Sequence, residues 1–344
     1  MPAHITHEVF ATEVFESAFK NNPLSTLETK ESRKYLVFGA QGGDFCLHNH
    51  RTKPSALIFG KLLHSEGHGR FVGNLIAYAK ERGFSFDTPF GVFTAAFATH
   101  AVLDRIAHPF INYHAGWVAP FDPRSEKYRN CHIFYERIID VFVLRIRTGA
   151  SVDNYDFFSH VDCGETIPDI LADAVTDAIM KTYPDYTDRE KNRQRVENAY
   201  LDTRRYFSFS NPPSRESVRA AYMEEHSAAK PPGRLLALLH PTELPDMDFL
   251  NFEKKEWNHP GKPEEKRRES FFDLYDQAIA AAVPVVTAVR DAFSGSIPCE
   301  EAAAIIGNEN LSDGESKKAV RKLKYVKPLP LQEVLREIYQ QETG

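Results

Sequence analysis

Apolar residues recur at three- and four-residue intervals along most of the chain. Between residues 3 and 20 they fall at Val9, Phe10, Val14, Phe15 and Phe19, which predicts an amphipathic helix with Thr6 as a candidate N-cap. Tyr35–Phe38 is a short apolar run leading into Gly39-Ala40-Gln41-Gly42-Gly43-Asp44, whose three glycines predict a tight turn. A helix is expected over about 71–82. The central helix, about Pro89 to His108, carries Phe90, Phe93, Phe97 and Ala101 with small residues between them, a pattern buried on most sides. Pro109 should end it, because the residue before a proline is pushed out of the helical region. A further helix is predicted over about Glu126 to Thr148, with Ile138, Ile139, Phe142 and Ile146 as its apolar face and Gly149 as its stop. Helices over Ile167–Tyr183, about Asp188–Tyr206, Ser270–Val283 and Leu331–Tyr339 follow, with breaks at Asn211-Pro212-Pro213 and Pro231-Pro232. No internal repeat is found. The pattern is that of an all-α protein.

Ligand-type residues are superimposed on this helical pattern. His100, Asp104 and His108 are spaced i, i+4, i+8, and His132, Glu136 and Asp140 repeat that spacing. At about 100° per residue each trio drifts only about 80° across a helix face. Two helices therefore each present a column of imidazole and carboxylate, groups rarely buried unless paired or bound to metal. Three imidazoles and three carboxylates, a mixture of nitrogen and oxygen ligands, suit zinc. Ten of the 14 histidines lie within the first 132 residues, which points to a site built by the N-terminal half. His4 and His7 are i, i+3. His64 and His68 are i, i+4, although Gly67 weakens a helix between them; His64 is preferred because Leu62 and Leu63 anchor it. His48 and His50 sit in a polar loop and are expected to be solvated. Asp44 reads either as the end of a plain turn or as a carboxylate delivered to a site by bare backbone. The nucleotide-binding spacings of glycine and the Walker lysine are absent there.

Composition narrows the setting. With 344 residues, 42% of them apolar and 26% charged, the chain can bury a sizeable core. A net charge of −6 gives no general attraction to nucleic acid or anionic lipid. Cys46, Cys131, Cys163 and Cys299 form no CxxC pair, which suits a reducing compartment. MPAHITHEVF lacks the basic and apolar regions of a signal peptide, and no apolar run approaches the roughly 20 residues that span a bilayer. A cytoplasmic protein is expected. Its parts divide into a metal-site core over 1–150, a helical remainder of the same domain over 151–293, and a C-terminal tail over 294–344. The tail holds a basic run from Lys317 to Lys327 and the terminal helix.

Taken in order, Ile5-Thr6-His7, Phe38-Gly39-x-x-Gly42-Gly43-Asp44, Leu63-His64, His100-x3-Asp104-x3-His108-Pro109 and His132-x3-Glu136-x3-Asp140 resemble the motifs of the zinc-dependent phospholipase C family. That family shares its all-α fold with the zinc single-strand nucleases. The likeness spans residues 1–150, and the paired H-x3-D and H-x3-E helices are its specific part. It implies a multi-helix bundle with three zinc ions at the base of a cleft. Carried over by position, it implies Asp44, His64, His100 and Asp104 for a first ion, and His108, His132 and Glu136 for a second. His7 with a bridging Asp104 would hold a third. Asp44 is then the candidate for orienting or deprotonating the attacking water. The same likeness gives Asn251 and Trp257, in a loop near 249–260, as residues that cover the cleft and meet substrate; a tryptophan filling a core gap is the competing reading.

The chain departs from the family pattern at its start. Secreted members complete the third site with a processed N-terminal amine, whereas this sequence begins Met-Pro and offers His4 instead. His68 is a further candidate ligand, and Asp140 extends the second column as an acceptor behind a ligand histidine. The expected activity is zinc-dependent hydrolysis of phosphate esters by metal-activated water on two or three Zn2+ ions. The reaction expected is that of a phospholipase C-like phosphodiesterase, with phospholipid the substrate implied by the resemblance. A zinc nuclease or nucleotidase is the alternative enzyme, although an acidic chain without a basic, aromatic groove argues against long single strands. A catalytically silent, metal-stabilised binding protein is the alternative outside enzymes.

Overall fold

The computed structural model describes residues 3–20, 25–119, 122–210, 218–221, 223–224, 235–314 and 327–343. In chain order the helices are α1 (His4–Ala18), α2 (Lys30–Ala40), α3 (Asp44–Leu47), α4 (Leu57–Ser65), α5 (His68–Glu81), α6 (Pro89–Ala115), α7 (Cys131–Val143), α8 (Phe157–Val161), α9 (Asp169–Thr182), α10 (Arg189–Ser210), α11 (Phe271–Ser294), α12 (Cys299–Ile306) and α13 (Leu331–Thr343). Among the described residues the only sheet is a hairpin of β1 (Trp257–His259) and β2 (Lys262–Arg267), with Trp257 opposite Arg267 and an irregularity between Asn258 and His259. The protein is thus all-α.

Helix α6 is the hub. It packs against α2, α11, α5, α1 and α7, and 23 of its 27 residues are buried. Its closest neighbour is α2, because Gly39 carries no side chain: a Cβ there would lie 2.5 Å from the Phe93 carbonyl oxygen. Thr88 caps α6 by accepting from Gly91 N–H, with Pro89 in the first turn, where its missing donor costs nothing.

Several boundaries differ from those expected. Helix α6 does not end at Pro109 but continues to Ala115. A proline there costs about 3 kcal/mol locally, and the burial of Phe110, Ile111 and Tyr113 on the following turn outweighs it. Helix α7 is shorter than the expected span: a 3-10 segment, Pro123–Tyr128, precedes it and a π turn, Leu144–Thr148, follows it. Thr6 does not cap α1, which already begins at His4. Helix α11 passes through Pro284 to Ser294, so among the described residues this helix is long and apolar enough to cross a membrane. It carries Asp273, Asp276, Arg290 and Asp291 and packs along α6 and α1 in the core. Within the expected tail, α12 packs on α5. The expected breaks at 211–213 and 231–232, and the basic run apart from Lys327, fall outside the described residues.

Candidate metal centre

Five elements bring the ligand-type side chains together. Helix α1 presents His7, the first residue of α3 is Asp44, α4 presents His64 in its last turn, α6 presents His100, Asp104 and His108, and α7 presents His132 and Glu136. The glycine turn is what delivers Asp44. Gly42 has φ +52°, and a Cβ on it would lie 2.3 Å from Cγ of His100. Only glycine permits the chain to pass that close to the His100 ring.

Asp104 is the centre of the cluster. Its Oδ1 is 3.2 Å from His7 Nε2. Its Oδ2 is 3.2 Å from His100 Nε2, 3.7 Å from His64 Nε2 and 3.6 Å from His108 Nδ1. Asp44 lies beside it, with Oδ1 2.9 Å from His64 Nε2 and Oδ2 3.5 Å from His100 Nε2. On the α7 side, Glu136 Oε1 is 3.0 Å from His132 Nε2 and 3.7 Å from His108 Nε2. The rings of His7 and His100 stack at 4.3 Å. All these side chains are buried or nearly so, the most open being His132 at 27% and His64 at 16% exposure.

Three observations fit a metal. First, ligand atoms held about 2.05 Å from a tetrahedral zinc sit roughly 3.3 Å from one another, and the four imidazole–carboxylate contacts of His64 and His100 with Asp44, through both its oxygens, and with Asp104 span 2.9–3.7 Å. Second, His7 Nδ1, both Asp44 oxygens, His100 Nε2, Asp104 Oδ2 and Glu136 Oε2 are buried without a hydrogen-bond partner, which native proteins otherwise avoid. Third, the rings are oriented from behind. His64 Nδ1 donates to Gly60 O at 2.7 Å, His100 Nδ1 to Ala40 O at 3.2 Å, and His108 Nδ1 to Leu311 O at 2.7 Å. A carbonyl only accepts, so a proton sits on Nδ1 and Nε2 is left to face the carboxylates, the orientation of metal-ligating histidines. The nitrogen-rich donor set suits zinc rather than calcium or magnesium.

The electrostatics describe a centre short of positive charge. Burial would raise Asp44 and Asp104, but His100 and His64 hold Asp44 below the usual carboxylate range, and His100 and His108 hold Asp104 well below it. Glu136 is likewise held down: burial would raise it, but His132 and His108 together pull it below the usual carboxylate range. Burial opposes a charged His100 and His108; even so, Asp104 and Asp44 raise His100, and Asp104 with Glu136 brings His108 up to about 9. His7 and His132 are lowered, chiefly by burial. Three buried carboxylates thus draw protons onto neighbouring imidazoles, a role a bound dication fills better.

Other candidates are placed elsewhere. His4 does not join the cluster. Its ring is buried against Phe157, Phe207 and His240 and its Nδ1 meets the Arg137 guanidinium. Asp140 backs no cluster histidine: Oδ1 accepts from Thr6 N–H (2.7 Å) and Thr6 Oγ1 (2.8 Å), while Oδ2 meets His240 Nε2 (2.9 Å) and Arg137 (3.3 Å). His4, Asp140 and His240 could geometrically hold an ion, but Asp140 is fully satisfied and a guanidinium already supplies the positive charge. This second group is a structural staple joining α1, α7 and the chain around His240. His68 lies behind His100, its Nε2 3.2 Å from Phe97 O and its ring against Phe97. His50 is exposed as expected, but His48 is buried, with its ring against Tyr206 and Nδ1 3.2 Å from Thr203 Oγ1. Trp257 and Asn251 do not line the centre. Trp257 is buried against Phe110 and Tyr113 and donates to Glu269 O. Asn251, with φ +58°, donates to the backbone of Lys255, Arg268 and Glu269.

The sequence pattern missed Arg137, His240 and Leu311. Arg137 carried a legible signal, a cation on an apolar helix three residues before Asp140. His240 and the Leu311 carbonyl carried none. No family model, curated protein or solved structure matches the chain, so the likeness to zinc-dependent phospholipases C rests on the motif residues.

Proposed function

We propose that this protein is a zinc-dependent hydrolase of phosphate esters, a phospholipase C-like phosphodiesterase that uses metal-activated water. One observation carries the reading: Asp44, His64, His100 and Asp104 converge at 2.9–3.7 Å, and Asp104 at the same time faces His7 and His108. In this reading Asp44, His64, His100 and Asp104 hold a first ion. His108, His132 and Glu136 would hold a second. His7 and Asp104 serve a third. Bound zinc would lower the pKa of a coordinated water towards neutrality and clamp phosphoryl oxygens during in-line displacement.

The chain's own residues supply the rest. Asp44 stays a carboxylate, because His100 and His64 outweigh its burial, so it can orient a water or take its proton. Asp104 faces imidazoles through both oxygens and keeps the two helix-borne ligand sets in register. His64 and His132, the most open ligands, mark the side on which substrate arrives. Plasma emission on protein purified without added metal should give at least two zinc ions per chain. Phosphatidylcholine vesicles, bis(p-nitrophenyl) phosphate, a mononucleotide and single-stranded DNA then serve as substrates. Less than one ion after zinc reconstitution overturns the metal reading. Turnover of nucleotide or DNA alone makes the protein a nuclease or nucleotidase, and zinc without any turnover makes it a binding protein.

A further inference from the structure

We infer that residues 307–314 form a strap that positions the ligands of the second ion, with Arg105 and Asn112 on α6 as the residues that hold it in place. Its midpoint, Leu311, is completely buried and touches both ligand sets through its backbone. Leu311 N–H donates to His64 O at 2.9 Å, and Leu311 O accepts from His108 Nδ1 at 2.7 Å. The second contact decides which way the His108 ring serves. Asp104 Oδ2 lies 3.6 Å from the same Nδ1 and would compete for its proton if the strap withdrew. With Leu311 O in place, the Nδ1 proton is committed and Nε2 is left to face Glu136.

The same helix that carries His108 grips the strap on either side of it. Arg105 donates through Nη1 to Ile306 O at 2.7 Å and through Nη2 to Gly307 O at 3.2 Å. Asn112 Nδ2 donates to Ser312 O at 3.1 Å. Residues 105, 108 and 112 fall on one face of α6, by the i, i+3 and i, i+4 rule. The strap is closed on itself by Ser312 N–H to Asn310 Oδ1 and Gly314 N–H to Asn310 O, and Gly69 N–H ties Gly307 O to α5. The first ion's ligands depend on it less: the His64 ring is fixed by Gly60 within α4, and the His100 ring by Ala40.

The inference rests on the zinc reading above, and its test separates the two. Zinc affinity is measured on the full chain by competition with a chromophoric chelator, and the cobalt-substituted protein is compared by visible absorption. Asn112→Ala and Arg105→Ala should bind the first equivalent as wild type does and the last-filled equivalents roughly 10-fold or more weakly, the size seen when groups behind a ligand are lost. The cobalt spectrum of the later equivalents should change. Arg105→Lys keeps one donor and should recover part of the affinity. Should Arg105→Ala fail to fold, Asn112→Ala, which removes a single hydrogen bond, decides the matter. Wild-type affinity for every equivalent in Asn112→Ala, or equal weakening of all equivalents, overturns the strap. A wild-type chain that binds less than one zinc overturns the metal reading, and the strap with it.

Discussion

Asp104→Asn is the substitution that reaches furthest, because the Asp104 oxygens lie within 3.2–3.7 Å of His7, His64, His100 and His108. The amide keeps the shape but removes the charge and half of the acceptor capacity, so at least one ion should be lost. An ion present at 1,000 times its dissociation constant stabilises the folded chain by about 4.1 kcal/mol. For 344 residues at roughly 2.1 cal/mol/K each, the unfolding entropy near the midpoint is about 0.7 kcal/mol/K. Losing one ion should therefore lower Tm by about 6 °C, and losing two by about 11 °C. Calorimetry at fixed free zinc, with plasma emission on the same samples, reads both quantities. In excess chelator the gap between wild type and variant should shrink, because neither then holds metal. A variant with wild-type zinc content and a zinc-dependent Tm gain within 1 °C of wild type would refute the role given to Asp104.

Other outcomes follow from the same geometry. Asp44→Asn should cut hydrolysis of bis(p-nitrophenyl) phosphate by roughly 100-fold or more while plasma emission still finds zinc on the α6 and α7 ligands; unchanged turnover would make the glycine turn a turn and nothing else. His240→Ala removes a donor 2.9 Å from buried Asp140 and should cost about 1–3 kcal/mol in urea unfolding with the zinc count intact, and His4→Ala should also leave the count intact; loss of an ion in either would return the staple to the metal centre. Burial holds His48 at about 3 and His114 at about 4, both below the ordinary 6.5. Between those values and 6.5 the unfolded chain binds the proton that the folded chain refuses. Stability is therefore full above pH 6.5 and falls as pH drops, by about 1.4 kcal/mol per pH unit per group. In chelator, His114→Phe should be shallower than wild type by about that slope between pH 6 and 5, and parallel lines would count against it.

The helical spacing of polar residues already carried most of the centre. His100, Asp104 and His108 share a face because any helix places i, i+4 and i+8 side by side, and a buried face of that composition has few uses other than metal. Gly42 was legible for a related reason: glycine before a carboxylate marks a close approach, and the approach is to the His100 ring. Periodicity, however, states which residues share a face and not what that face meets. Asp140 continues the His132 column, but the drift of the helix turns it to Thr6, 134 residues away in sequence, and to His240, 100 away. His4 and His7 sit one turn apart, and only the packing of α1 between α7 and α2 sends one to Arg137 and the other to Asp104. His68 and Trp257 were ambiguous in the same way and His48 was expected in solvent; each was decided by the apolar wall that closed over it. The strap lay beyond any pattern of side chains, because it acts through the backbone of Leu311, 203 residues from His108. Main-chain carbonyls are the same in every sequence, and only the folded chain decides which of them stands behind a ligand.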